Sequence, residues 1–140
     1  MPDTTFANPS LDDIRTLLRT VKTVAVVGYS PKPERPGHYV AEALQQRGYR
    51  IIPVRPGIQE GLGEKAYARL TDLPEVPDLV DVFREPSAVA GIVDDCIRLG
   101  VKRLWLQDGV IDEAAALRAQ AAGITVVMNR CTLRDQGLLA

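Results

Sequence analysis

The sequence is poor in the residues that build the commoner catalytic and metal sites. It has one histidine, His38, and two cysteines, Cys96 and Cys131. A single histidine with no acid placed beside it by motif leaves no Ser-His-Asp arrangement to assemble. Two cysteines without a second pair make neither a disulfide framework nor a zinc site, so a reducing, cytoplasmic setting is expected. The carboxylates Asp81, Asp108 and Asp112 lack metal-ligand spacing, and no metal is expected. No apolar run approaches the roughly 18 residues of a spanning helix. The stretch Met1–Pro9 has neither the basic nor the apolar region of a signal peptide. An excess of one charge is also missing: Lys plus Arg is 17, Asp plus Glu is 18, and the net charge is −1. That balance argues against a nucleic-acid binder or a membrane-surface protein, both of which need a basic field. Repeats and low-complexity stretches are absent.

What is present is ordinary globular material. The 140 residues, 46% apolar and 25% charged, suit one domain over 1–140. Such a chain buries about two-thirds of its unfolded surface. Ser10 caps a leading helix at 11–21, with Ile14, Leu17, Leu18 and Val21 at helical spacing. Thr23–Val27 is an unbroken apolar, β-branched run, as in strands buried on both faces. Pro36 opens a second helix to Arg47, closed by Gly48, and Tyr49–Val54 is the second strand. Residues 57–77 promise no long element, although Leu70 and Leu73 should pack down. Leu79–Phe83 is a third strand, and a helix from Pro86 ends at Gly100. Arg103–Leu106 is a fourth strand, 112–122 a helix, and Ile124–Met128 a fifth strand. The tail after Asn129 has room for one more helical turn. Strands alternating with helices predict an α/β fold, a Rossmann-like doubly wound parallel sheet of five strands in the order 3-2-1-4-5.

In that fold ligands sit beyond the carboxyl ends of the strands, at the switch point expected here between the first and fourth strands. The loop after the first strand reads Gly28-Tyr29-Ser30-Pro31-Lys32-Pro33 and lacks the second and third glycines of a dinucleotide fingerprint. An adenine dinucleotide in its usual pose is therefore disfavoured. Anion binding is favoured: the loop precedes a helix N-terminus, Ser30 adds a hydroxyl, and Lys32 and Arg35 add charge. The second strand ends in Val54-Arg55-Pro56, without the acid that grips a ribose 2′-OH. Arg55 there suits a ribose carrying an extra phosphate, whether the 2′-phosphate of NADP or the 3′-phosphate of coenzyme A. The 13 arginines outnumber the 4 lysines, and Arg35, Arg55, Arg84 and Arg130 all fall on loops at this end of the sheet.

These segments taken in order resemble a known family. Val24–Ser30, Arg35–Val40, Gly48–Val54, Val80–Arg84 with Pro86 and Ser87, Leu104–Gln107 with Gly109 and Val110, and Asn129–Cys131 carry the likeness. The chain resembles the small stand-alone CoA-binding proteins whose fold matches the CoA-binding domain of the succinyl-CoA synthetase alpha subunit. The resemblance implies coenzyme A or an acyl-CoA as the ligand. It places Gly28, Tyr29 and Ser30 along the phosphates and Arg35 on a phosphate. Val54, Arg55 and Pro56 would flank the adenosine, Phe83 and Arg84 would border the nucleotide, and Ser87 would stand at the next helix start. Leu106, Gln107 and Gly109 would follow the pantetheine arm. One departure is Arg55-Pro56, where the family usually has Asn-Pro.

The function expected is non-catalytic binding of coenzyme A or an acyl-CoA, as carrier, sensor or accessory module, with a protein partner or a homodimer as company. The competing expectation is a small NADP- or CoA-dependent enzyme, or a nucleotide-sensing regulator. The lack of an acid–base pair favours binding, and His38 reads as a satisfied or solvent-facing ring. Cys131 has two readings: a packed small side chain, or a thiol that exchanges with the CoA thiol on the ligand side of the sheet. Cys96 and Trp105 read as core.

Overall fold

The computed structural model describes residues 5–139. The helix α1, Leu11–Thr20, begins where the Ser10 hydroxyl accepts the Asp13 N–H at 3.1 Å, with Asp12 and Asp13 complementing the dipole. Strand β1, Thr23–Val27, leads to α2, Pro36–Gln46, and then β2, Arg50–Val54. A two-residue-strand hairpin follows, β3 at Glu60–Gly61 and β4 at Glu64–Lys65, then a 3-10 turn at Leu70–Asp72. The rest alternates: β5 Leu79–Val82, α3 Val89–Leu99, β6 Arg103–Leu106, α4 Glu113–Ala121 and β7 Thr125–Met128. A short helix α5, Thr132–Gln136, and a 3-10 turn at Gly137–Leu139 close the described chain. No helix among the described residues is long and apolar enough to cross a membrane.

The five main strands form one parallel sheet in the order β2-β1-β5-β6-β7. The Rossmann-like parallel architecture is as expected. The strand order is not: counted along the chain it is 2-1-3-4-5 rather than 3-2-1-4-5. Pro53 lies inside β2, and proline has no N–H to give a second neighbour, so β2 belongs at an edge. The four residues of β5 are all buried, as an interior strand requires. The switch point therefore lies between β1 and β5, the first and third strands, not between the first and fourth.

Alternation along the strands divides the core. Val80, Val82, Leu104, Leu106 and Val126 pack under α3 and α4. Val24, Val26, Leu79, Trp105 and Val127 pack under α1 and α2. Asp81, opposite Val26 and Trp105 in register, is wholly buried. Strand alternation puts it on the side of Leu79 and Trp105. Leu70 is buried, as its apolar character demanded, though its segment is only a turn.

Candidate functional site

The carboxyl ends of the strands open into a cleft of about 1010 Å³, lined in part by Gly28, Phe83 and Gln107. These three follow β1, β5 and β6, so the cleft straddles the switch point. That volume is at the top of the range of about 300–1000 Å³ for small-molecule sites. Gly28 has φ +91°, and a Cβ there would lie 2.5 Å from the Phe83 carbonyl oxygen. Only glycine lets the first loop come this close to the β5 end. Gly37, in the first turn of α2, is equally tight: its Cβ would lie 2.5 Å from the Gly28 oxygen. Gly37 thus gives the close helix–strand approach that the third glycine of a dinucleotide fingerprint supplies elsewhere.

Six cations line the cleft: Lys32, Arg35, Arg47, Arg55, Arg84 and Arg134. Three of them are engaged. Arg84 holds Glu85 at 2.9 and 3.2 Å and pulls that carboxyl down to about 2. Arg134 makes two 2.9 Å bonds to Asp108, whose pKa is lowered by that hydrogen bonding, while the Arg134 pKa is raised. Arg47 donates to Gln136 at 2.6 Å and to the Leu133 carbonyl. Lys32, Arg35 and Arg55 form no side-chain hydrogen bond or ion pair among the described residues. All three lie on the loops after β1 and β2, so unneutralised charge gathers at that end of the cleft. Arg130 is not on the cleft. It is held by Asp135 through two 2.7 Å bonds.

The loop after β1 is braced by His38. Its Nδ1 lies 2.8 Å from the Ser30 carbonyl oxygen, to which it donates, and Nε2 lies 3.6 Å from Glu42. The single histidine is a satisfied side chain that fixes the Ser30 backbone. On the far side of the cleft, Asn129 adopts φ +60° and its Oδ1 accepts the Gly109 N–H at 2.8 Å. That bond ties the loops after β6 and β7 together.

Of the residues expected from sequence, Gly28, Ser30, Lys32, Arg35, Arg55, Phe83, Arg84, Gln107 and Cys131 line the cleft. Tyr29, Val54, Pro56, Ser87, Leu106 and Gly109 do not. The Tyr29 ring is buried against Gly61 and the His38 ring. Val54 and Leu106 belong to the core under α3 and α4, because neighbouring strand residues face opposite sides. Pro56 and Ser87 are exposed beside the cleft, and Gly109 contributes its N–H to Asn129 instead. The loop after the fourth strand brings Asp108 to the cleft as expected, whereas Tyr39, Arg47, Leu133, Arg134 and Leu138 line it without having been expected. Tyr39 and Leu138 are 48% and 54% exposed, large apolar surfaces facing an opening. The sequence offered one signal for them: apolar residues on an otherwise polar helix start and tail.

Beneath this floor lies a buried polar chain. Thr132 Oγ1 is 3.0 Å from Asp81 Oδ2 and 2.8 Å from Gln107 Oε1, and the Thr132 N–H donates to the same Oε1 at 3.1 Å. Burial pushes the Asp81 carboxyl well above the usual carboxylate range. Cys131 is half-buried on the cleft, whereas Cys96 is fully buried with its thiol pushed up to about 12, by burial first and by Asp95 second.

Comparison with known proteins gives a consistent result. The CoA binding domain family matches residues 22–136. The uncharacterized protein YneT of Bacillus subtilis is 38% identical over 124 residues, 89% of this chain and 92% of YneT. An ADP-forming acetate–CoA ligase (II) of Archaeoglobus fulgidus is 30% identical over 95 residues, 66% of this chain but only 14% of the ligase. The solved Thermus thermophilus structure of cell-free ID.343 is 38% identical with a TM-score of 0.89, covering 94% of this chain and 100% of that one.

Proposed function

The chain belongs to the CoA binding domain family, and on that premise we propose that it binds coenzyme A or an acyl-CoA without transforming it. It would serve as a carrier, a sensor or an accessory to a partner enzyme or to a second copy of itself. The observation that carries this reading is the polarity of the cleft. Among the described residues Lys32, Arg35 and Arg55 stand without partners at one end, and the uncharged Gln107 lies toward the other. Coenzyme A has the same asymmetry: a triply phosphorylated nucleotide joined to a neutral amide arm. In this reading Arg55 takes the 3′-phosphate, Lys32 and Arg35 take the diphosphate with the Gly28–Ser30 backbone, and Phe83 and Arg84 border the nucleotide. Gln107 meets the arm. The side chains of Tyr29, Val54 and Leu106 face the core and fall outside the proposed contacts. The free Cys96 and Cys131 fit a reducing, cytoplasmic setting.

A ligand of the native state must raise the melting temperature. Coenzyme A, dephospho-CoA, acetyl-CoA, NAD and NADP are compared at equal concentration. We expect shifts with coenzyme A and acetyl-CoA, and a smaller one with dephospho-CoA. A shift with NADP and none with any CoA species overturns the reading.

A further inference from the structure

The chain from Asp81 through Thr132 to Gln107 contains a proton puzzle. The Thr132 hydroxyl has one proton, yet it lies within hydrogen-bond distance of two oxygens, Asp81 Oδ2 and Gln107 Oε1. The Gln107 atom is an oxygen, because the Thr132 backbone N–H points at it from 3.1 Å. One arrangement satisfies every contact. A neutral Asp81 donates from Oδ2 to the Thr132 oxygen, and the Thr132 hydroxyl donates on to Gln107 Oε1. Full burial of Asp81 favours the neutral form, since a buried carboxylate with an orphaned oxygen is far costlier than a neutral acid with one idle carbonyl. That idle atom is present: Asp81 Oδ1 is the one buried side-chain polar atom without a partner among the described residues.

The consequence is at the cleft. With both hydrogen bonds on its oxygen side, the Gln107 carboxamide cannot flip without setting its NH₂ against the Thr132 N–H. Among the described residues its Nε2 makes no hydrogen bond and is not a buried orphan, so it keeps open surface on the cleft that Gln107 lines. We propose that Asp81 and Thr132 are positioning residues that hold Gln107 with its oxygen inward, so that the cleft floor offers a fixed N–H donor and selects a carbonyl oxygen on the arm of its ligand. This rests on the proposed CoA reading, where two sources supply that oxygen: an amide of the pantetheine arm, or the thioester of an acyl group.

The test uses dissociation constants of four probes: adenosine 3′,5′-bisphosphate, which lacks the arm, coenzyme A, acetyl-CoA, and S-ethyl-CoA, which lacks only the acyl carbonyl. The proteins are the wild type, Thr132→Val, Thr132→Ser, Asp81→Leu and Asp81→Asn. Thr132→Val and Asp81→Leu are expected to weaken acetyl-CoA by about fivefold, the worth of one neutral hydrogen bond, with the bisphosphate unchanged. Thr132→Ser and Asp81→Asn each retain a donor and should restore wild-type discrimination. A loss for acetyl-CoA alone identifies the thioester carbonyl as the oxygen read; equal losses for all three armed probes identify an arm amide. Equal weakening of the bisphosphate and the armed probes, or no weakening in Thr132→Val, overturns the positioning role while leaving the CoA reading intact. Failure of every probe to bind the wild type overturns both.

Discussion

Gly37 lies so close to Gly28 that a Cβ on the first would come within 2.5 Å of the carbonyl oxygen of the second. This approach seats the N-terminus of α2 against the end of β1 and sets the depth of the cleft between them. A Gly37→Ala substitution must push the helix and loop apart. We expect a loss of about 1–3 kcal/mol in stability, typical of overpacking, together with weaker coenzyme A binding. Chemical denaturation and calorimetric titration of the variant check both. Wild-type stability and affinity in Gly37→Ala would show that the loop gives way freely.

Arg55 has no partner among the described residues at the β2 end of the cleft and, in the proposed function, meets the 3′-phosphate. Arg55→Ala should weaken coenzyme A by about 1.5–3 kcal/mol, the range for a hydrogen bond to a charged group. It should leave dephospho-CoA nearly unaffected, so the two ligands bind the variant alike. A variant that still prefers coenzyme A over dephospho-CoA to the wild-type degree would assign the phosphate elsewhere.

Asp81 makes a prediction for stability against pH. Its folded pKa is raised above the unfolded value of about 3.9. Folding therefore holds the Asp81 proton more tightly than the unfolded chain does. The associated stability is complete below the unfolded pKa and is lost as pH rises toward the folded pKa. Asp78, Glu85 and Asp108 have lowered values and act in the opposite sense. They remain in both proteins when wild type is compared with Asp81→Asn, so the difference isolates Asp81. The melting temperature of Asp81→Asn minus that of wild type should grow as pH rises from about 4. A difference independent of pH would mean that Asp81 is ionised in the fold.

Cys131 lines the cleft beside Leu133 and Arg134. In the proposed function, with the phosphates on Lys32 and Arg35, the thiol arm would run toward this side. On incubation with CoA disulfide, the Cys131 thiolate should attack one sulfur and release the other CoA as its thiolate, leaving a mixed disulfide. Intact mass should show one added CoA in the wild type and none in Cys131→Ser. Cys96 cannot compete, with its thiol buried and pushed up to about 12. An unmodified wild type would reduce Cys131 to a packing role.

Local chemistry was enough to read the elements from sequence. The buried runs Thr23–Val27 and Arg103–Leu106, the Ser10 cap and the proline at the start of α2 each act over a few residues, and the structure has them where they were expected. The loops facing the cleft followed from the architecture, since parallel strands must all end on one side. Pro53 could have corrected the strand order, because it bars β2 from the interior. Strand alternation could have removed Val54 and Leu106 from the expected contacts.

Other features had no local signal. Whether a cation is free or neutralised depends on what folds beside it: Arg55 stands open, while Arg130 is taken by Asp135, five residues on in sequence. Gly37 and Gly28 are nine residues apart, and only the packing of helix on strand makes both glycines necessary. The chain from Asp81 to Thr132 to Gln107 joins residues 51 and 25 positions apart, and its direction is set by burial. The α/β alternation and the set of loops that meet at one end of the sheet follow from the chain's own pattern, because both arise from periodicity and turn chemistry. Tertiary structure alone decided which of those loops are neighbours, which charges stay unpaired and which way the Gln107 amide points, because each depends on distances between segments remote in the chain.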